Sequence, residues 1–189
     1  MRLLRVCGAS SFPFQNRLMS EFPANLPEYS NDVWRTAYRL LNDSEDAGEC
    51  FQQTFADALK IDPATVHCWR AVLIRIATRR AMDFLRRRYR DHDSFRRLET
   101  EPLTEDPPEA DLAFKELRRT VRETLATLPA NQAEAFWMRH IDQLSTDEVS
   151  RQLGVERGHV RVLVHRAVAH LRHSLQPEYG EFLALREEK

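Results

Sequence analysis

Glycine is scarce, five in 189 residues. With the long 3.6-residue apolar periodicities that fill the chain, this argues for an all-helical protein rather than a turn-dense β architecture. Cysteine is scarcer still. Cys7, Cys50 and Cys68 have no metal-ligand spacing, and any disulfide scheme leaves one unpaired, so reduced thiols in a cytoplasm are the simple reading. No apolar run approaches the length of a membrane span, and Met1 to Ser11 lacks the apolar core of a signal peptide. Membrane insertion is therefore not expected. Net charge is also lacking: the formal value of -1 excludes a uniformly basic, DNA-coating protein. An average hides local blocks, however, and here these are strongly segregated.

A hydrophobic content of 42% can bury one core of ordinary size or two small ones. Residues 1–28 mix Ser, Pro and Phe without period and read as an irregular leader, in which Met19 is an alternative start to Met1. Ser30 or Asn31 can cap a first helix with Val33, Trp34, Ala37, Tyr38 and Leu41 on one face. Asn42-Asp43-Ser44 makes a turn and a new cap. The helix over about 45–60 buries Phe51, Phe55, Ala58 and Leu59, and shows Glu49, Gln52, Gln53 and Asp57 on its other side.

Asp62-Pro63 predicts the start of a long helix over about 63–90. Val66, Trp69, Leu73, Ile76, Ala77, Ala81 and Phe84 gather on one side, with Arg75, Arg79, Arg86 and Arg90 opposite. Trp69 to Arg90 holds eight arginines and one acid, Asp83. A solvated face usually mixes both signs, so this stripe suits phosphates better than mere solubility. After Arg97 the sign reverses. Leu98 to Leu112 holds six acids, three prolines and no basic residue, the composition of an extended linker.

Leu117, Val121 and Leu125 recur at successive helical turns in the segment that follows. Leu128-Pro129 then opens a helix, Pro129 standing at a tolerated first-turn position, with Ala133, Phe136, Trp137, His140 and Ile141 as its buried face. Ser145-Thr146-Asp147-Glu148 has the form of a capping box, and Gly154 can end that helix in a left-handed turn. A further helix begins near Glu156 with Val160, Val164, Ala167 and Leu171 as its buried stripe. Arg157, His159, Arg161, Val162, His165 and Arg166 are left to face outward. A short helix, a glycine turn and a basic second helix are the parts of a major-groove reader. Pro177 is expected to end the last helix.

The expected architecture is thus all-α: two small helical domains over 29–97 and 113–175, joined by a flexible acidic linker over 98–112, with a tail over 176–189. The long apolar faces of the two domains could be satisfied by a partner or by each other.

Three runs in order carry a family resemblance: Glu45 to Phe55 (EDAGECFQQTF), Trp69 to Ala77 (WRAVLIRIA) and Asp83 to Arg88 (DFLRRR), followed by a polar linker, Leu128-Pro129 and the helix-turn-helix. Over roughly residues 30–175 the chain resembles an extracytoplasmic-function sigma factor of bacterial RNA polymerase, the small two-domain branch of the sigma-70 superfamily. The resemblance implies that the first domain docks on the beta-prime clamp of core polymerase and opens the promoter, with Glu49, Gln52 and Phe55 matching the family's acid-x-x-Gln-x-x-Phe docking pattern. The loop before Trp69, including Lys60 and His67, would select a downstream promoter base, and Arg75, Arg79, Arg86 and Arg90 would hold the separated strand. The second domain would bind the beta flap and read upstream promoter DNA through Arg157, His159, Arg161, Val162 and Arg166. An anti-sigma partner is also a family expectation. The sequence departs from the family at Val72, Arg79 and His159, and at Val162-Leu163, where a Ser-Arg pair is usual.

Two other classes compete. The seven histidines come with no Cys/His cluster, phosphate loop or inward carboxylate set, so no catalytic residue, metal or cofactor is expected. A conventional dimeric helix-turn-helix regulator would use the same reading helix, with residues 30–90 as a sensor or dimerisation domain.

Overall fold

The computed structural model describes residues 26–90 and 112–184. Residues 1–25 of the expected leader, residues 98–111 of the acidic stretch expected to be a flexible linker and the last five residues lie outside the described residues, whereas residues 26–28, expected to be irregular, belong to a 3-10 turn and Leu112 begins a helix. Among the described residues there are seven α-helices and no strand.

A 3-10 turn, Leu26–Tyr29, runs straight into α1 (Ser30–Leu41). Neither Ser30 nor Asn31 caps it. The N-cap position falls on Tyr29, and the turn leaves no extended residue ahead of the helix from which a side chain could cap it. Asn42 ends α1 in the left-handed region at φ 51. Extended Asp43 then starts α2 (Ser44–Ala58), its carboxylate accepting from the amides of Glu45 and Asp46 at 2.9 Å each. Leu59, expected to be buried, is the C-cap of α2 and is 39% exposed.

The long helix is shorter than expected. Pro63–Thr65 form only a 3-10 turn, in which the Asp62 carboxylate accepts from the Ala64 amide at 2.9 Å, and Val66 is extended. That local bond closes the turn before an α-helix can propagate, and α3 begins at Trp69 and runs to Arg90. Its burial also differs from a single apolar side. Leu73 and Ala77 pack with Val33, Phe55 and Ala58 of the first domain. Ala71 and Ile74 instead meet Ala135, Met138 and Leu144 of the second. Farther along, Ala81, Met82 and Leu85 share a core with Leu40, Leu41, Leu125 and Trp137. Trp69, Ile76 and Phe84, expected in the stripe, are only half-buried.

The second domain comprises α4 (Leu112–Thr127), α5 (Ala130–His140), α6 (Thr146–Leu153) and α7 (Arg157–Ala184). Pro129 occupies the N-cap of α5 with extended ψ 138, not the first turn. The α5 face is rotated and widened relative to expectation: Glu134, Ala135 and Met138 are buried beside Ala133 and Trp137, whereas His140 is exposed and Phe136 half-buried. The cause is α3, which covers a second side of α5 while α7 covers the first. The last helix does not stop at Pro177. A proline removes one backbone donor and crowds the carbonyl a turn back, but helices do continue through it, and the apolar spacing of Leu175, Tyr179 and Phe182 in the sequence continues past it.

The two apolar faces are therefore satisfied by each other. Polar links cross the seam as well: Thr36 Oγ1 donates to Asp142 Oδ1 at 2.9 Å, and Arg86 Nη2 donates to the Leu128 carbonyl at 3.3 Å. The elements that form the seam are less complete in their polar groups than in their apolar ones. Thr78 Oγ1, Gln132 Oε1, Trp137 Nε1 and Asp142 Oδ2 are buried without a hydrogen-bond partner from the protein, a state that costs about 1–3 kcal/mol per group.

Candidate nucleic-acid and partner interfaces

On α2, Glu49 and Gln52 are exposed one turn apart on the polar side. Gln53 Nε2 donates to Glu49 Oε1 at 2.6 Å, which steadies the carboxylate without covering it. Phe55 does not share this face. It is 6% exposed, its ring 4.8 Å from that of Phe51, and it packs with Val33 and Leu73. Its place in the expected docking set is corrected accordingly: it fixes the helix that presents Glu49 and Gln52.

The arginines of α3 are less free than their sequence suggests. Arg80 pairs with Asp57, Arg88 pairs with Asp46 and donates to the Leu41 carbonyl, and Arg70 Nε donates to Asp32 at 2.6 Å. The Asp57 carboxyl is held below its usual range by hydrogen bonds from Lys60 and Arg80. Arg86 is turned toward Asp83 and Leu128 at 3.3 Å each, so in this arrangement it is a seam residue rather than a free cation. Arg75 and Arg79 make no ion pair or hydrogen bond with a described residue, and Arg79 and Arg90 are exposed. Two neighbouring grooves result, one lined by Gln53, Arg80, Asp83, Arg86, Arg87 and Arg90, the other by Asp57, Arg75, Ile76, Arg79, Arg80 and Asp83. Lys60 and His67 are exposed on the loop between α2 and α3, with Lys60 Nζ 2.9 Å from Asp57.

The helix-turn-helix is built as its sequence dictates. The amide and hydroxyl of Ser145 each donate to Glu148 Oε2 at 2.7 Å, and the Glu148 amide donates back to Ser145 Oγ at 3.2 Å. These bonds hold the Glu148 carboxyl below its ordinary value. Gly154, at φ 66, ends α6, and Ser150 Oγ donates across the turn to the Val155 carbonyl at 2.6 Å. On α7, Val160, Leu163, Ala167 and Leu171 are buried and Val164 is half-buried, so Leu163 takes the place in the stripe expected for Val164. Arg157, His159, Arg161, Val162 and Arg166 are all exposed; Val162 is an outward apolar patch at 41%. Arg157 Nε lies 2.6 Å from Asp147, which orients the N-terminal end of the reading helix.

Family models match both halves: sigma-70 region 2 over residues 27–91 and sigma-70 region 4 over residues 118–171. The ECF RNA polymerase sigma factor SigE of Mycolicibacterium smegmatis is 32% identical over 82% of this chain and 61% of its own length. The RNA polymerase sigma-E factor of Streptomyces coelicolor is 28% identical over 82% of this chain and 86% of its own, and the ECF sigma factor SigW of Bacillus subtilis 26% identical over 78% and 85%. The chain belongs to the ECF sigma-70 family.

Two solved structures share the fold of this ECF chain. One is CnrH in complex with the cytosolic domain of CnrY, with a TM-score of 0.54 and 23% identity over 82% of this chain and 87% of that one. The other is the sigma factor RpoE with the anti-sigma factor NepR from Bartonella quintana, with a TM-score of 0.51 and 19% identity over 82% and 96%. No described helix is long and apolar enough to cross a membrane.

Sequence reasoning missed the groups that region 4 presses against region 2. Glu134, 4% exposed on α5, faces Arg75, Arg79 and Arg86; burial raises its carboxyl while the guanidiniums pull it down. Asp142, 8% exposed in the loop after α5, reaches Thr36 of α1. A polar residue inside an apolar run was the available signal for Glu134. Nothing local marks Asp142.

Proposed function

We propose that this chain is a sigma factor that directs core RNA polymerase to particular promoters and starts transcription by recognising and melting them. The observation that carries the reading is the pairing, in one chain and in family order, of a region 2 helix bearing exposed Glu49 and Gln52 with a region 4 helix-turn-helix bearing exposed Arg157, His159 and Arg161.

In this reading Glu49 and Gln52 meet the beta-prime clamp, and region 4 meets the beta flap. Melting needs cations along a separated strand and a pocket for an unstacked base. Arg75, Arg79 and Arg90 supply the first, joined by Arg86 once Leu128 releases it, and the loop from Lys60 to His67 supplies the second. On α7, Arg157, His159 and Arg161 near the N-terminal end read base edges, Val162 packs on a thymine methyl, and Arg166 holds phosphate. The chain works in the cytoplasm beside polymerase and performs no catalysis of its own. An anti-sigma partner fits the family pattern.

The test is capture of purified core polymerase by the full chain and by Glu49→Lys. A like charge against a basic patch in a desolvated interface costs on the order of a few kcal/mol, so capture should fall at least tenfold while helicity is unchanged. Undiminished capture by the variant removes Glu49 from the interface. Operator-like DNA binding as a dimer, with no capture by either chain, replaces the sigma reading with that of a conventional regulator.

A further inference from the structure

The seam between region 2 and region 4 covers part of the surface that the proposed function needs. Region 4 helix α5 lies along α3, Glu134 faces Arg75, Arg79 and Arg86, and Arg86 is spent on the Leu128 carbonyl. Yet the elements that form it hold four buried polar atoms without a protein partner, Thr78 Oγ1, Gln132 Oε1, Trp137 Nε1 and Asp142 Oδ2, and Trp137 and Asp142 are placed at the seam by their contacts with region 2. Those two regain partners in water if the two regions part. An interface that is well packed in its apolar residues and unsatisfied in its polar ones is suited to opening.

We propose that this packing is a closed, self-covering state of the free chain, latched where Asp142 of region 4 inserts against Thr36 of region 2, and that the latch loosens as the pH rises. Asp142 Oδ1 accepts from Thr36 Oγ1, but Oδ2 is buried and unpaired, so the site accommodates a protonated carboxyl better than a charged one. The charged groups around it are Asp32 and Arg39 of α1 and Arg70 of α3. Arg70 is already bonded to Asp32, Arg139 on the Asp142 side is turned to the Leu144 carbonyl at 2.6 Å, and Arg39 acts on Asp142 only through its charge, so among the described residues no cation bonds Asp142 directly. Burial pushes the carboxyl from 3.8 up to about 6, against the Thr36 hydrogen bond and the two arginines.

The sign follows from proton uptake. The closed state binds the Asp142 proton more tightly than the open, solvated state. Closing is therefore most favoured below 3.8, weakens as the pH rises to about 6, and is level above that. Between pH 5 and 7.5 the opening equilibrium should rise about tenfold. That opening frees the α3 arginines for DNA rests on the proposed function; the opening itself does not.

Thiol labelling of the full chain reads the opening directly, even when the open state is rare. Cys7 and Cys68 are replaced by serine, and Ala135→Cys places a thiol in the seam opposite Ala71 and Ile74. Cys50, buried beneath α3 with its thiol toward the Ala77 carbonyl, reports unfolding of region 2 in the same sample. Labelling rates are divided by those of a free thiol at each pH. The introduced cysteine should react about tenfold faster at pH 7.5 than at pH 5, with no matching rise at Cys50. Adding Asp142→Asn should abolish that pH response and keep the seam closed at pH 7.5. Adding Thr36→Val instead should enlarge it, because the lost hydrogen bond favours the ionised form. Equal pH responses with Asp142 and with Asn, or a rise at Cys50 in step with the seam thiol, overturn the proposal. The readout uses no polymerase, so failure of the Glu49→Lys capture test leaves it standing.

Discussion

Two long basic helices, α3 and α7, are alike in sequence and opposite in structure. α3 carries eight arginines, and Arg70, Arg80, Arg86 and Arg88 are engaged by carboxylates or carbonyls of the same chain. α7 buries one stripe, and along its reading end His159, Arg161, Val162 and Arg166 are all exposed. The difference lies in their neighbours. α3 is flanked by helices on two sides that bring acids and carbonyl ends with them, whereas the reading side of α7 meets α6 at its N-terminal end, where Arg157 pairs with Asp147, and is otherwise exposed. A cationic stripe is therefore a binding surface only to the extent that the rest of the fold leaves it unpaired.

The comparison predicts that the seam side of the molecule controls stability and the outer side controls recognition. The largest expected effect is at Met138, fully buried between α3 and region 4: Met138→Ala should cost about 2–5 kcal/mol in denaturant unfolding. A loss below about 0.5 kcal/mol, the range of an ordinary surface change, would mean that the seam adds little to the fold. Next, Arg161→Ala should cost roughly 1–3 kcal/mol in holoenzyme binding mainly at one base position, whereas Arg166→Ala should weaken all promoter variants and lower the salt slope by about one unit. A panel of single-base promoter variants at two salt concentrations measures both. If Arg161→Ala weakened every variant equally, Arg161 would be a phosphate contact, and the reading would pass to Arg157 and His159.

Ser145→Ala removes the cap of α6 and should cost about 1 kcal/mol. Its pH dependence is diagnostic. The Glu148 carboxyl is depressed in the folded chain, so the contribution of this box is present above 4.5 and is lost as the pH falls through the folded value. Wild type and variant should accordingly converge in stability in acid, and parallel curves would assign the box no electrostatic share. The smallest effect is expected at Arg80, whose pair with Asp57 is partly solvated: Arg80→Ala should change stability by about 0.2–1 kcal/mol. A larger loss would place the pairs that α3 makes with α2 among the supports of the fold rather than on its surface.

Local chemistry made much of this legible in the sequence. Ser145 with Glu148, Gly154, and Asp43 ahead of α2 are written in neighbouring residues, and each forms the expected cap or turn. The outward set on α7 followed from its buried stripe, because one covered side fixes which residues remain. Helical spacing failed where a helix is covered twice. It placed α3 and α5 against a single neighbour each, and so missed the burial of Met82 and Leu85, of Ala135 and Met138, and of Glu134.

Sequence alone determined the helices, their order, the helix-turn-helix and the segregation of charge, since caps, turns and a 3.6-residue period act over a few residues. Which face of region 2 meets which face of region 4 was decided only in three dimensions. Thr36 and Asp142 are 106 residues apart, and their hydrogen bond depends on how whole apolar faces dock. The same docking withdraws Arg86, buries Glu134 and leaves Asp142 half-satisfied, because a side chain's charge and partners depend on what packs against it, and here that is a surface from the other end of the chain.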